Sequence, residues 1–156
     1  KEWKAYEKAS SLQVEFWRMK VGLPFCEEEF GRSNNPFELG LGDWVSLDKG
    51  CYLGQEILSK LAISKRINKR LRFWESCDSL EMGIDLFAHS SSSGSMKRAG
   101  FITSVVQDDM SRGSFGLALI RSRISIVEEF LYTEDSKRVS LYAPSSFVGY
   151  PGSEKT

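Results

Sequence analysis

The sequence predicts an α+β protein in which two helices precede a small antiparallel barrel or sandwich. Two stretches in the first 65 residues carry apolar side chains at helical spacing, and five short alternating segments fill the second half. Short strands in series, separated by glycine, serine or charged residues, are typical of small antiparallel barrels and sandwiches. The 156 residues suffice for one ordinary domain or for two small units that share an interface.

The first helix is predicted over residues 11–20. Leu12, Phe16 and Met19 lie at positions i, i+4 and i+7, which puts them on one helical face. Gly22 follows as a stop signal, because glycine readily adopts the left-handed backbone conformation that ends many helices.

A second helix is predicted over residues 54–65, after a polar segment at residues 25–35 that we expect to form turns. Gln55 and Glu56 would occupy its first turn, where a negative charge is favourable. Its apolar stripe consists of Ile57, Leu58, Leu61 and Ala62.

The second half of the chain changes to alternating strand patterns. The predicted strands cover residues 70–76, 84–89, 99–106, 114–121 and 137–143. The serine-rich residues 90–95 are expected to form a flexible loop. We therefore divide the chain into a first unit (1–68), a barrel (69–148) and a disordered tail (149–156).

Composition argues against several function classes. Lys plus Arg and Asp plus Glu both number 21, so no net charge attracts the chain to nucleic acid or to an anionic membrane. No apolar run has the length needed to cross a bilayer, and the first residues lack a signal-peptide core. The chain begins at Lys1, which indicates a fragment or a processed form, and we expect any targeting peptide to precede it.

The three cysteines predict a reducing compartment and no resident metal. Cys26, Cys51 and Cys77 are far apart, with no C-x-x-C pair, and His89 is the single histidine. A zinc site or an iron–sulfur cluster needs closely supplied Cys and His ligands. An odd number of unpaired cysteines is also unlike a secreted disulfide scaffold.

The most informative segment is residues 49–56, Lys-Gly-Cys-Tyr-Leu-Gly-Gln-Glu. Its glycines allow backbone conformations closed to other residues, and a nearby lysine and a helix start would each favour a thiolate at Cys51. Cys51 could equally be a small apolar residue that fills a turn. The residues we assign to this signature loop are Lys49, Gly50, Cys51, Tyr52, Gly54, Gln55 and Glu56, with Cys51 and Lys49 as the candidate catalytic pair.

This octapeptide resembles the K-G-C-[FY]-x-G-Q-E signature of the YgfZ family, relatives of the glycine cleavage T protein that support iron–sulfur enzymes. Four further segments are similar to family motifs and occur in the same order: residues 18–24, 35–41, 100–104 and 116–120. The resemblance covers about residues 12–145 and corresponds to the later part of a family member. It implies the C-terminal part of a folate-binding domain, followed by an antiparallel β-barrel.

The function implied by the resemblance is an accessory role in iron–sulfur cluster assembly or maintenance. Cys51 would be the functional thiol, the partners would be iron–sulfur enzymes or assembly factors, and tetrahydrofolate or a related folate would be a candidate ligand. A plastid is the implied location, with the mitochondrion as the alternative. Two rival functions are an aminomethyltransferase that uses tetrahydrofolate and an interaction module without chemistry.

The resemblance also suggests a folate cleft formed by Arg18, Glu38 and Trp44, although the sequence favours a structural role for Glu38, which would orient the loop or cap a helix. One departure matters here. Where tetrahydrofolate-binding T proteins have a glutamate, this chain has Lys20, and an ammonium group cannot accept the hydrogen bonds that a pterin donates.

Six basic residues between Lys60 and Arg72 allow two interpretations. They could bind phosphate groups of RNA, or the polyglutamate tail of a folate. The sequence favours the solvated face of a helix that runs into a strand, because the whole chain is neutral.

Overall fold

The computed structural model describes residues 8–31, 33–89, 95–108, 112–125 and 127–153. Of the predicted serine-rich loop, only Ser95 falls within these ranges. The last three residues of the predicted tail also lie outside them.

Six antiparallel strands form a closed barrel, which confirms the predicted α+β fold with an antiparallel barrel. The strands are β1 (Lys69–Ser76), β2 (Asp85–His89), β3 (Met96–Asp108), β4 (Gly113–Arg121), β5 (Phe130–Tyr132) and β6 (Arg138–Tyr142). Their order around the barrel is β1-β4-β3-β2-β5-β6. Sequence patterns identified five of the six and missed β5, whose three residues are too few to show alternation.

Apolar side chains from all six strands fill the barrel interior. The fully buried members include Trp74, Leu86, Ile102, Ile120, Leu131 and Val139. The indole of Trp74 also donates a hydrogen bond of 3.1 Å to the carbonyl oxygen of Leu117. Position 116, which pairs with Trp74 across β1 and β4, requires glycine, because a Cβ at that position would lie 1.8 Å from the carbonyl oxygen of Ser104.

Two helices lie where the sequence predicted them. Helix α1 (Ser11–Val21) begins with a capping box in which the Ser10 hydroxyl accepts from the Gln13 amide, and it ends at Gly22 with φ of 79°. Helix α3 (Gln55–Ser64) follows the signature loop. The described residues also form two shorter helices, α2 (Glu27–Phe30) and α4 (Ser122–Ser125), and a 3-10 turn over residues 42–44.

Helix α1 packs against the outside of β1 and β4. Met19 is buried there in a second apolar cluster with Leu39, Leu71, Phe73, Phe115, Leu117, Leu119 and Phe147. This cluster joins residues on both sides of the predicted boundary at residue 68, and the division into units stays a prediction.

Helix α3 is packed much less. None of its residues is buried, and Ile57 and Ile63 are 65% and 84% exposed. The stripe predicted for this helix is therefore at most half-buried within the described chain. No described helix has the length and apolarity that a bilayer span requires.

Candidate functional site

The signature loop presents the Cys51 thiol to solvent. Cys51 is exposed and is followed by Gly54, which adopts φ of 86° as the N-terminal cap of α3. A side chain at that φ would be strained, so glycine is the residue that lets the chain turn into the helix. Cβ atoms added at Gly50 or Gly54 would meet nothing within 4 Å, so both sides of the loop are open.

Gln55 holds this loop in shape through its side-chain amide. Its Nε2 donates to the carbonyl oxygens of Leu47 at 2.8 Å and Lys49 at 3.2 Å, while its Oε1 accepts from the Tyr52 amide at 3.3 Å. Three bonds from one side chain fix the backbone on both sides of Cys51. Gln55 is therefore a clamp, a role that its place in the motif did not reveal.

Tyr52 adds a second tie within the loop. Its hydroxyl donates a 3.0 Å hydrogen bond to the carbonyl oxygen of Ser46, and the Lys49 ammonium lies 5.1 Å from the centre of its ring. A cation at this distance from a tyrosine face is attracted to it. The Glu56 carboxylate instead forms a salt bridge of 2.5 Å with the ammonium of Lys60, one turn later in α3.

The loop and the first turn of α3 border an open groove of about 680 Å³. Its lining consists of Cys51, Tyr52, Leu53, Gly54, Gln55, Glu56 and Ser59. The structure thus brings five of the seven assigned signature residues to one surface, with the thiol among them. Leu53 next to the thiol is fully exposed, so the groove offers an apolar contact beside a nucleophilic atom.

The other cysteines have different surroundings. Cys26 is half-buried, its thiol donates to the Thr103 carbonyl oxygen at 3.4 Å, and burial together with the charge of Glu29 raises its pKa to about 11. Cys77 is exposed in the turn after β1. Cys77 therefore provides a matched exposed thiol outside the signature loop.

No hydrogen bond, ion pair or ring contact links the three residues assigned to a folate cleft in the described chain. The Arg18 guanidinium donates to the Leu23 carbonyl oxygen at 2.6 Å and to Glu15 at 2.9 Å. The buried Glu38 carboxylate accepts from the backbone amides of Lys69 and Asn35, both at 3.3 Å.

Trp44, the third of these residues, is 79% exposed and leaves one large aromatic surface available. Arg18 makes local contacts with Glu15 and Leu23, whereas the Glu38 carboxylate also joins its turn to the start of β1 through the Lys69 amide. The folate cleft stays a prediction, and within this chain Trp44 is the member that could stack on a flat ring.

Lys20, at the position where folate-binding T proteins carry a glutamate, lies among three aromatic rings. Its ammonium is 5.2 Å from the ring centre of Phe16, 5.0 Å from Phe73 and 5.8 Å from Tyr142. Glu75 lies 3.9 Å away. Lys20 therefore fastens α1 to the barrel through cation–π contacts.

The sequence did not identify Glu29 as a buried carboxylate, because Glu29 lies in the polar segment 25–35 that we expected to form turns. Its Oε1 accepts from the hydroxyls of Thr103 at 3.0 Å and Ser104 at 2.8 Å, and its Oε2 accepts from the Phe25 amide at 2.7 Å. A bulge in β3 at Thr103 lets two consecutive hydroxyls reach one carboxylate. The signal that could have identified Glu29 was the Thr103-Ser104 pair in one of the family-like motifs, because its two hydroxyl groups need a hydrogen-bond acceptor.

The basic run between Lys60 and Arg72 does not form one surface. Lys65 and Arg66 are exposed, and the Lys69 ammonium donates to the Asn34 side chain at 2.7 Å. Arg72, however, is only 6% exposed. The solvated face favoured by the sequence is therefore wrong for Arg72, because alternation in β1 turns that side chain inward.

No group of three or more His, Cys, Asp or Glu side chains in the described ranges could hold a metal ion. The thiol of Cys51 therefore belongs to no such group within this part of the chain. A metal centre that it contacts would need its remaining ligands from another molecule or another segment.

Comparison with known proteins points to one superfamily. No protein-family model matches the chain. The chain is 31% identical over 121 residues to an Arabidopsis thaliana protein described as a chloroplastic transferase, covering 75% of this chain and 26% of that protein. It is 29% identical over 106 residues to an aminomethyltransferase of Caldanaerobacter subterraneus, covering 68% of this chain and 27% of that protein.

A solved structure shows the same fold. The glycine cleavage system aminomethyltransferase T of Bartonella henselae matches with a TM-score of 0.66 and 17% identity, over 86% of this chain and 37% of that one. The chain spans about a quarter of the length of the curated relatives it matches. These findings support a T-protein-like superfamily, and the YgfZ branch stays a prediction.

Proposed function

We propose that this chain is the later part of a T-protein-like accessory protein that supports iron–sulfur cluster assembly or maintenance, with Cys51 as its working thiol. The observation that carries the proposal is the clamped loop. Gln55 and Tyr52 fix the backbone around Cys51 through four hydrogen bonds, while the thiol itself stays exposed. A cysteine whose only role was to fill a turn would not need a thiol exposed to solvent.

The chemistry available to such a thiol is electron-pair donation by its sulfur. A thiolate can ligate iron of a cluster held by a partner, attack the sulfur of a disulfide, or attack an electrophilic carbon of a folate-linked group. The partners that fit are iron–sulfur enzymes or their assembly factors, docking along the groove beside Leu53. The role of Lys49 would be electrostatic, from its position on the Tyr52 ring.

Folate is a weaker element of the proposal. The Arg18 guanidinium donates to the Leu23 carbonyl oxygen, the buried Glu38 carboxylate accepts from the Lys69 amide, and Lys20 is held by aromatic rings. Among the described residues, these three side chains therefore do not supply the acceptors that a pterin requires. Tetrahydrofolate binding would depend on groups beyond the described residues, with Trp44 as a stacking surface.

For location we propose the plastid, with the mitochondrion as the alternative. The support is the similarity to a chloroplastic protein of Arabidopsis thaliana.

The test of the proposal is rescue of cells that lack the endogenous protein. Cys51→Ser changes one atom at an exposed position, so we expect normal expression together with loss of growth rescue and of iron–sulfur enzyme activity. Cys77→Ser, at an exposed thiol outside the loop, should rescue fully. Full rescue by Cys51→Ser would refute the thiol role.

The aminomethyltransferase alternative is supported by the names of the matching relatives, and a different assay tests it. In a reconstituted glycine cleavage reaction lacking its T protein, we expect no turnover from this protein. Turnover that survives Cys51→Ser would favour the aminomethyltransferase and count against the accessory role.

A further inference from the structure

A cavity of about 360 Å³ lies between helix α1 and the outer face of the barrel. Leu12 and Phe16 of α1 and Phe115 of β4 form its apolar walls, and Glu75 of β1 and Asp108 of β3 add two carboxylates. Cavities of this size, with mostly apolar walls and a few polar groups, are typical sites for small organic ligands. The cavity shares no lining residue with the groove at the signature loop, so it is a separate candidate site.

The apolar walls are built mainly from two aromatic rings. The Phe16 ring meets the Phe115 ring edge to face, with 5.1 Å between the ring centres and 85° between the ring planes. Phe115 is buried, whereas Leu12 and Phe16 are 42% and 38% exposed. Packing therefore fixes the floor of the cavity, while its α1 side is accessible from solvent to an alkyl or aryl group.

The two carboxylates come from strands on opposite sides of β4. Glu75 on β1 and Val106 on β3 are both paired with Phe115 on β4. Asp108 follows Val106 by two residues along β3, so both side chains belong to the same face of the sheet. The strand register thus puts an acidic strand on each side of the Phe115 floor.

The charge of the lining favours a cation. None of the described residues that line the cavity is a lysine, an arginine or a histidine, whereas two of them are carboxylates. Aromatic rings add to this preference, because the face of a phenyl ring attracts cations. An apolar cavity with carboxylates and aromatic rings therefore matches a ligand that is both positively charged and partly apolar.

An ammonium group of this chain already uses the edge of the same surface. The Lys20 Nζ lies 5.2 Å from the centre of the Phe16 ring and 3.9 Å from a carboxylate oxygen of Glu75. The pair is at the distance limit of an ion pair, and the Lys20 and Glu75 side chains are 51% and 39% exposed. Such a pair is weak, so Glu75 can also attract a second cation.

We propose that this cavity binds a small organic ammonium ion, a primary amine on a short alkyl stem. The stem packs between Leu12, Phe16 and Phe115, where each buried CH₂ group adds affinity. The ammonium group lies towards Asp108 and Glu75 and donates charge-assisted hydrogen bonds to them. Free alkylamines carry this group, and so does a lysine side chain of a partner protein.

The test is an NMR titration of the whole chain, labelled with ¹⁵N, with pentylammonium chloride at neutral pH and constant ionic strength. The amide signals of residues 75–76, 108 and 114–115 should shift with a saturable dependence. Pentanol, which has the stem without the charge, and ammonium chloride, which has the charge without the stem, should both bind at least about tenfold more weakly. Shortening the stem should weaken binding about threefold to fourfold for each CH₂ removed from the cavity.

Two kinds of variant test the role of charge. Glu75→Gln with Asp108→Asn should weaken pentylammonium binding at least about tenfold, because both anionic partners are lost. Glu81→Gln with Glu134→Gln, at exposed positions outside the cavity, gives the same change in net charge and should leave Kd unchanged. Lys20→Met should strengthen binding, because it removes the competing cation from Phe16 and Glu75. This opposite effect keeps the proposal testable if the carboxylate variant does not fold.

A lysine with both backbone ends blocked identifies the source of the ammonium group. If it binds at least as tightly as butylammonium, the cavity accepts a lysine side chain of a partner protein, and if it binds more weakly, the ligand is a free amine. Three results would overturn the proposal: equal affinity for pentanol and pentylammonium, shifts confined to residues outside the cavity, or a Kd that the loss of both carboxylates leaves unchanged.

Discussion

Cys26 and Cys51 are both free thiols, yet the protein gives them opposite surroundings. Cys26 closes a local network with Glu29 and Thr103, whereas Cys51 has an open face. The sequence alone could not separate these cases, because each cysteine has acidic or basic neighbours along the chain. The two thiols differ in burial. Cys26 is half-buried because β3 packs against the segment 25–31, an arrangement that the sequence does not show.

The raised pKa of Cys26 predicts a loss of stability in alkaline solution. In the unfolded chain this thiol ionises near pH 9, but in the folded chain it stays protonated to about pH 11. The unfolded state therefore releases its proton first, and the free energy of unfolding should fall across this window. We expect Cys26→Ser to reduce the slope in urea titrations from pH 8 to 11, compared with Cys77→Ser. Equal slopes for the two variants would contradict this assignment.

At the scale of elements, Glu29 joins α2 to the barrel. Three donors, the Phe25 amide and the hydroxyls of Thr103 and Ser104, would lose their acceptor in Glu29→Ala. Buried donors left without an acceptor destabilise a protein, and we expect a loss of about 3 kcal/mol in the free energy of unfolding. Glu28→Ala provides the control, because Glu28 is exposed. Urea unfolding measures both, and a change below about 0.5 kcal/mol for Glu29→Ala would show that the network contributes little.

The elements that the sequence predicted well are those set by local signals. The Ser10 cap, the Gly22 stop and the Gly54 turn lie in the chain next to the helices they bound. Glu29 and Arg72 were misjudged for the opposite reason. Their burial is created by a bulge in β3 and by barrel closure, which bring together residues more than 40 positions apart.

The sequence predicted which residues of the candidate site lie together but not the hydrogen bonds among them, and their functional role stays a prediction. Resemblance selected residues 49–56, and five of the seven assigned residues line one groove. That Gln55 clamps two carbonyl groups and one amide is a matter of side-chain reach that the motif does not encode.

At the scale of the molecule, apolar exposure is concentrated before the barrel. The large apolar side chains with the highest exposed fractions there are Phe25, Trp44, Leu53, Ile57 and Ile63. Exposed patches of this kind usually mark surfaces that contact another segment or protein. The molecule thus combines a well-filled barrel with a sparsely packed α3.

This asymmetry predicts that the 156-residue chain binds a hydrophobic dye in its folded state. The double variant Ile57→Lys with Ile63→Lys should reduce dye fluorescence while changing the free energy of unfolding by less than about 0.5 kcal/mol per site, since α3 buries neither residue. Dye titration and urea unfolding of the same samples measure both effects. A large loss of stability would show that α3 packs more tightly than the structure describes.

The central claim, that the signature loop presents a working thiol, is tested most directly by site-resolved alkylation with iodoacetamide at neutral pH. We expect Cys51 to react fastest, because its thiol is exposed in the loop that leads into α3 and follows Lys49 by two residues. Cys26 should react slowest because its pKa is about 11. Cys77, which is also exposed but lies outside the loop, should react at an intermediate rate. Gln55→Ala should bring Cys51 down to the rate of Cys77. A Cys51 rate at or below that of Cys77 in the unaltered protein would contradict the claim.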